Sequence, residues 1–237
     1  DDLSIKMNAR GKPLTDFEMF KARYEEDLAS QLDGETFELG GQQFDAAGYI
    51  ARRLDTNWAD LLWKHRKKDS ELYDYAFMNL FRIVALVSRS PESSQYLEDI
   101  GKLRKGINAP SYHDFHARNW LDESFTRALV ILLDAWCASD GELCQLLPDS
   151  RYFDEHFFFN KITAEGANLS NVQLVQLAGY AQFIFVHGAD SRNVDSFQEW
   201  MRIIRNLAGN TVYNRLDDFK RSVQGILGLN EHATDIL

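Results

Sequence analysis

Proline is scarce in this chain, with 4 residues among 237, and so is any tract that would read as a turn-rich β-fold. Cysteine is scarcer: Cys137 and Cys144 cannot form the disulfide framework of a small secreted domain, so a reducing, cytoplasmic compartment is expected. Long apolar runs are missing as well. The richest, around residues 77–87, is broken by Asn79 and Arg82, which excludes a bilayer-spanning helix there and predicts no membrane association. Positive charge is in deficit, with 26 Lys and Arg against 36 Asp and Glu and a net charge of −10. A surface devoted to wrapping nucleic acid needs clustered cations, so that class is disfavoured. A secretory leader and an initiator methionine are also lacking, and the start at Asp1 carries the expectation of further polypeptide upstream.

What is present is apolar and aromatic. Hydrophobic residues make up 45%, with 16 Phe, 9 Tyr and 5 Trp. That suffices for one sizeable core or two modest ones, packed by bulky side chains on long helices. The expected fold class is mainly α: a multi-helix bundle preceded by a short strand and loop.

Residues 3–7 alternate apolar and polar and read as that strand. The loop Asn8-Ala9-Arg10-Gly11-Lys12-Pro13-Leu14 follows. A first helix should open at Thr15, where Thr15 and Glu18 have the spacing of a capping box, with Phe17, Phe20, Tyr24 and Leu28 on one face. Asp33-Gly34 ends it, and the chain to Gly41 is expected to be loop. Asp45 is expected to cap a second helix carrying Tyr49, Ile50, Leu54, Trp58, Leu61 and Leu62, with a break near Asp55-Thr56. A third, from about 70 to 87, is apolar nearly all round and belongs at the centre of a bundle. Ser90-Pro91 stops it. A weaker helix covers 92–103, a short one starts at Ser111 or Asp114, and another follows Asp122-Glu123-Ser124 to Ala138. Residues 139–167 are expected to be irregular. Three more helices are predicted over about 170–186, 194–207 and 216–227.

The lone strand has no evident partner downstream, and an isolated strand leaves its backbone groups unpaired. It is therefore expected to pair with polypeptide upstream. The loop after it is the strongest chemical signal. Asn8, Arg10, Gly11 and Lys12 combine a glycine that permits close backbone approach with two cations and a helix start, which suits an anion or phosphate. The spacing is not that of a Walker A loop, and a purely structural strand-to-helix turn explains the same residues.

Weaker candidates each have an ordinary explanation. Gly40-Gly41-Gln42-Gln43-Phe44 reads as a turn before a helix. His113 and His116 have an i, i+3 spacing that can share a metal, but no third ligand is apparent; no metal site is expected in this chain. His65, His156 and His187 have no motif around them. Cys137 and Cys144 read as packing residues or free thiols. Asp122-Glu123 and Asp217-Asp218 sit at helix starts, where acids complement the dipole. Lys64 to Lys68, and Lys102 with Arg104 and Lys105, suit cationic helix ends. Arg202 and Arg205 share a helix face and read as solvated or salt-bridged. No residue is assigned a catalytic role, since nothing brings a nucleophile and base together.

The stretch from Ile5 to Glu18, Ile5-Lys6-Met7-Asn8-Ala9-Arg10-Gly11-Lys12-Pro13-Leu14-Thr15-Asp16-Phe17-Glu18, with Lys21-Ala22 beyond, resembles the Asn-x-Arg-Gly-x-x-Leu-Thr/Ser segment of the GmrSD-like family of nucleotide-dependent DNA restriction proteins. Trp58-Ala59-Asp60-Leu61-Leu62-Trp63, and Trp200 to Asn206 with Asn210-Thr211, are similar to segments in the helical region of long members. The resemblance implies that residues 1–32 are the last part of a nucleotide-binding domain and that 33–237 form a helical domain. In the family, a ParB/sulfiredoxin-like domain hydrolyses nucleotides, often alongside an HNH-type nuclease, and restricts phage DNA. The family's Asp-Gly-Gln-Gln-Arg motif is absent, since Gly41-Gln42-Gln43-Phe44 lacks its Asp and Arg, and no HNH signature is visible. The resemblance thus implies a non-catalytic coupling or regulatory region, holding no cofactor by itself. Its parent would use an NTP and a divalent metal, with the nucleotide-binding domain, a nuclease domain and DNA as partners. A non-catalytic helical scaffold for protein partners, contacting them through the aromatics of 152–159 and able to self-associate, is the alternative.

Overall fold

The structure is a computed structural model. It describes residues 14–28, 34–65, 74–105, 110–137, 151–164, 166, 168–188 and 194–231. The strand expected over 3–7, and the loop residues Asn8, Arg10, Gly11 and Lys12, lie outside these.

The expected mainly α architecture is present. Helix α1 (Asp16–Leu28) buries Phe17, Phe20, Tyr24 and Leu28, the face its spacing implied. Its start is the expected capping box: the Thr15 N–H donates to Glu18 Oε2 at 2.9 Å, and the Glu18 N–H to Thr15 Oγ1 at 3.2 Å.

The stretch read as loop up to Gly41 is instead a β-hairpin, β1 (Thr36–Leu39) paired antiparallel with β2 (Gln42–Asp45). The turn is Gly40-Gly41, with φ of 60° and 78°. Two successive positive φ values suit the right-handed twist of a two-residue hairpin, and glycine adopts them without a Cβ clash. Phe37 and Phe44 face one another across the pair, and Phe37 stacks on Tyr49 with ring centres 5.0 Å apart.

Asp45 then caps α2 (Ala46–Asp55), accepting from the Gly48 N–H at 2.7 Å. The anticipated break falls at Thr56, and α3 (Asn57–Lys64) continues.

Helix α4 (Asp74–Ser88) occupies the centre. Every residue from Ala76 to Val87 is buried, Asn79 and Arg82 included. The two polar side chains that interrupt its apolar run serve the ends of neighbouring helices. Those helices are α5 (Tyr96–Leu103) and α8 (Glu155–Thr163). Asn79 Nδ2 donates to the Ala164 carbonyl at 2.7 Å, and the Arg82 guanidinium to the Leu103 carbonyl. Both acceptors belong to last-turn carbonyls that lack a partner within their own helix. Burial pulls the Arg82 pKa down to about 10, which still leaves the side chain charged at neutral pH.

Helices α6 (Tyr112–Ala117) and α7 (Glu123–Trp136) start at Ser111 and Asp122, whose side chains accept from the Asp114 and Phe125 N–H groups. Residues 155–163, expected to be irregular, are α8. Asp154 caps it through the Phe157 N–H at 2.8 Å, and Phe158, Phe159 and Ile162 form its buried stripe. A run of adjacent phenylalanines blurs the 3.6-residue period, which is why the pattern was hard to read.

Helix α9 (Asn171–His187) opens on a second capping box, Ser170 with Gln173, followed by α10 (Val194–Asn210) and α11 (Leu216–Glu231). Helix α4 packs against α1, α5, α7, α8 and α9, and α9 against α7, α10 and α11. Helix α1 therefore shares one continuous core with the later helices. Residues 29–33, where the resemblance drew its domain boundary, are outside the described set. Among the described residues, no helix is long and apolar enough to cross a membrane.

Candidate functional site

The first turns of α1 and α6, with α4 beneath, enclose a groove of about 320 Å³, lined among others by Asp16, Met19, Arg23, Met78, Tyr112 and His113. Its lining starts at Asp16, inside the capping box of α1. Tyr112 is its best-anchored wall. The hydroxyl donates to Asp27, the ring meets Phe20 edge-on at 5.6 Å, and the Arg23 guanidinium lies 5.5 Å over its face. Burial, with the Asp27 carboxylate adding to it, pushes the Tyr112 hydroxyl well above the usual tyrosine range. The hydroxyl is therefore a fixed donor and not an acid. Chemically the groove offers an aromatic face backed by a cation, one carboxylate (Asp16), two thioethers and one imidazole. Those groups suit holding a flat moiety, and no nucleophile and base face each other among its described lining residues.

A second cleft, of about 380 Å³, lies where the end of α4 meets α7, α9 and α11; Arg89, Ser124, Arg127, Gln182, Phe185 and Leu227 are among its walls. Its cations are already answered. Arg89 donates to the Asn119 carbonyl at 3.1 Å and to Asp122 at 2.6 Å. Arg127 is shared between Glu35 and Glu123. With three carboxylates against two guanidiniums, this cleft has no surplus positive charge to draw an anion.

The remaining sequence candidates take structural roles. His113 and His116 lie on the single turn and a half of α6, and no group of three or more His, Cys, Asp or Glu suited to a metal occurs among the described residues. Asp122 is the α7 cap. Asp218 accepts from the Arg215 and Asn214 N–H groups and pairs with Arg221; these bonds, the backbone donor from Arg215 foremost, lower its pKa. Arg202 pairs with Glu199, and Arg205 donates to the Arg151 carbonyl. Burial pushes the Cys137 thiol up to about 12, so it packs rather than reacts. Cys144 is outside the described residues. Of the aromatics in 152–159, Phe153, Phe158 and Phe159 are buried, and only Phe157 is prominently exposed, at 47%.

One cluster escaped sequence reasoning. Asp134 on α7 accepts from Tyr49 Oη at 2.6 Å, Arg53 Nε at 2.9 Å and Trp58 Nε1 at 3.0 Å, and a second Arg53 nitrogen pairs with it. Burial, then the bond to Asp134, raises the Tyr49 pKa. The available signal was an acid inside an apolar helix face, between Leu133 and Ala135. The cluster clamps α2 and α3 onto α7 and has no cavity beside it among those described.

Against models of protein families, curated proteins and solved structures, the chain matches nothing.

Proposed function

We propose that this chain is a helical coupling region of a nucleotide-dependent DNA restriction protein of the GmrSD-like kind, without catalytic activity of its own. In this reading Asn8, Arg10, Gly11 and Lys12 border a nucleotide pocket shared with a nucleotide-hydrolysing domain. That domain would supply the divalent metal and the reaction, and a nuclease acting on DNA would receive the signal.

The observation that carries the reading, beside the resemblance, is how α1 is joined to the bundle. Within the capping box the Phe17 ring lies flat on Phe77 with centres 4.3 Å apart, and just beyond it Phe20 packs on Phe81 at 5.2 Å. Both partners are on α4, the most buried helix. Close-packed interiors pass on displacement rather than absorbing it, so a phosphate gripped by the loop would bias the centre of the bundle in one step.

The test uses the full-length protein carrying Arg10→Ala and Lys12→Ala. Nucleotide turnover, or its coupling to phage restriction, should fall by at least about tenfold, the scale of one lost charged contact to phosphate. The melting temperature should not change. Unchanged turnover together with unchanged restriction would overturn the assignment.

A further inference from the structure

His65 and His156 carry no motif and are distant in sequence, yet the fold sets them side by side. His65 is the C-cap of α3, its N–H bonded to the Leu61 carbonyl at 3.3 Å, and His156 lies in the first turn of α8. Their ring centres are 6.2 Å apart, with planes inclined by 34°. Two imidazoles bound to one tetrahedral ion, with metal–nitrogen bonds of about 2.0 Å, have ring centres about 5 Å apart.

The His65 ring is also set up for the task. Its Nδ1 lies 3.2 Å from Asn160 Oδ1. An amide oxygen only accepts, so Nδ1 carries the hydrogen and, in the neutral ring, Nε2 presents its lone pair. A bond of this kind to the far nitrogen is the usual partner of a metal-ligating histidine. The buried Phe159 ring meets the imidazole edge-on at 4.9 Å and holds its plane.

We propose that His65 and His156 form a two-imidazole site for a borderline-soft divalent ion of the zinc type, tying the end of α3 to the start of α8. Nitrogen ligands favour such ions over magnesium or calcium. No third His, Cys, Asp or Glu completes the set among the described residues, so water fills the remaining positions. Lys161, the nearest cation on α8, is directed to Gln173 Oε1 at 3.0 Å. The site stands whether or not the chain couples to a nucleotide.

Calorimetric titration of tag-free protein with zinc sulfate should show one ion per chain, and magnesium none. Bound zinc should raise the melting temperature, because an ion held only by the folded state stabilises it. His65→Ala and His156→Ala should each abolish the binding step and the zinc-induced rise, while keeping the metal-free melting temperature. Asn160→Ala should weaken binding about tenfold, as loss of such an orienting partner does. The double variant His113→Ala/His116→Ala should bind as the parent does. Absence of zinc binding, or binding that survives His65→Ala, would overturn the proposal.

Discussion

Replacing Asp134 by alanine removes one carboxylate and strands the donors of three side chains at once. Trp58 is fully buried, and the Arg53 side chain is only 11% exposed. Breaking a buried ion pair by deleting one partner costs about 3–5 kcal/mol, because the other charge stays behind uncompensated. The Asp134 side chain is 28% exposed, so water reaches the gap and the lower end applies. We expect a loss of about 2–3 kcal/mol, or roughly 4–12 °C in melting temperature for a chain of this size. Chemical denaturation gives the number directly, and a double-mutant cycle with Arg53→Ala isolates the pair. The coupling should be about 1–3 kcal/mol. By contrast, Arg53→Met combined with Asp134→Leu should recover only part of the stability: the apolar pair leaves no charge to desolvate, but Tyr49 and the buried Trp58 N–H still lose their acceptor. A loss below about 0.5 kcal/mol for Asp134→Ala, or strictly additive single losses, would refute the view of Asp134 as the clamp between α2, α3 and α7.

Two further outcomes follow from packing and titration. Gly179 lets α9 approach α10 so closely that an added Cβ would lie 2.7 Å from Ile204 Cγ2. Gly179→Ala should destabilise by about 1–3 kcal/mol through overpacking, and combined with Ile204→Ala, which removes the clashing γ carbons, it should cost less than the sum of the two single losses; an unchanged denaturation midpoint for Gly179→Ala would show that the contact yields. Cys137, Tyr24, Tyr49 and Tyr96 all have pKa values raised mainly by burial. Each binds its proton more tightly when folded, so its stabilising contribution is full below the unfolded pKa and is lost as pH rises beyond it. Denaturation midpoints should therefore hold to about pH 8.5, where an open-chain thiol titrates, and fall more steeply above about pH 10, where open-chain tyrosines do. A flat profile to pH 11 would contradict the burial of these groups.

Much of the fold could be read along the chain because its determinants are local. Thr15 with Glu18, Asp45, Ser111, Asp122 and Ser170 announce helix starts through side chains that satisfy N–H groups within three residues, and no tertiary context is needed to recognise them. The apolar stretch of α4 signalled its central position for a related reason: a helix with no polar face has nowhere else to go. The hairpin and α8 were missed where the local signal is thin, four-residue strands in one case and consecutive phenylalanines in the other. The expected phosphate loop at Asn8, Arg10, Gly11 and Lys12 rests on sequence alone. What only the tertiary structure decided is which distant side chains meet: Asp134 with Arg53 and Trp58, Asn79 and Arg82 with the ends of α8 and α5, and His65 with His156. Each of these depends on how helices far apart in the chain cross, and no residue pattern along one helix encodes the identity of its neighbour's contacting atoms.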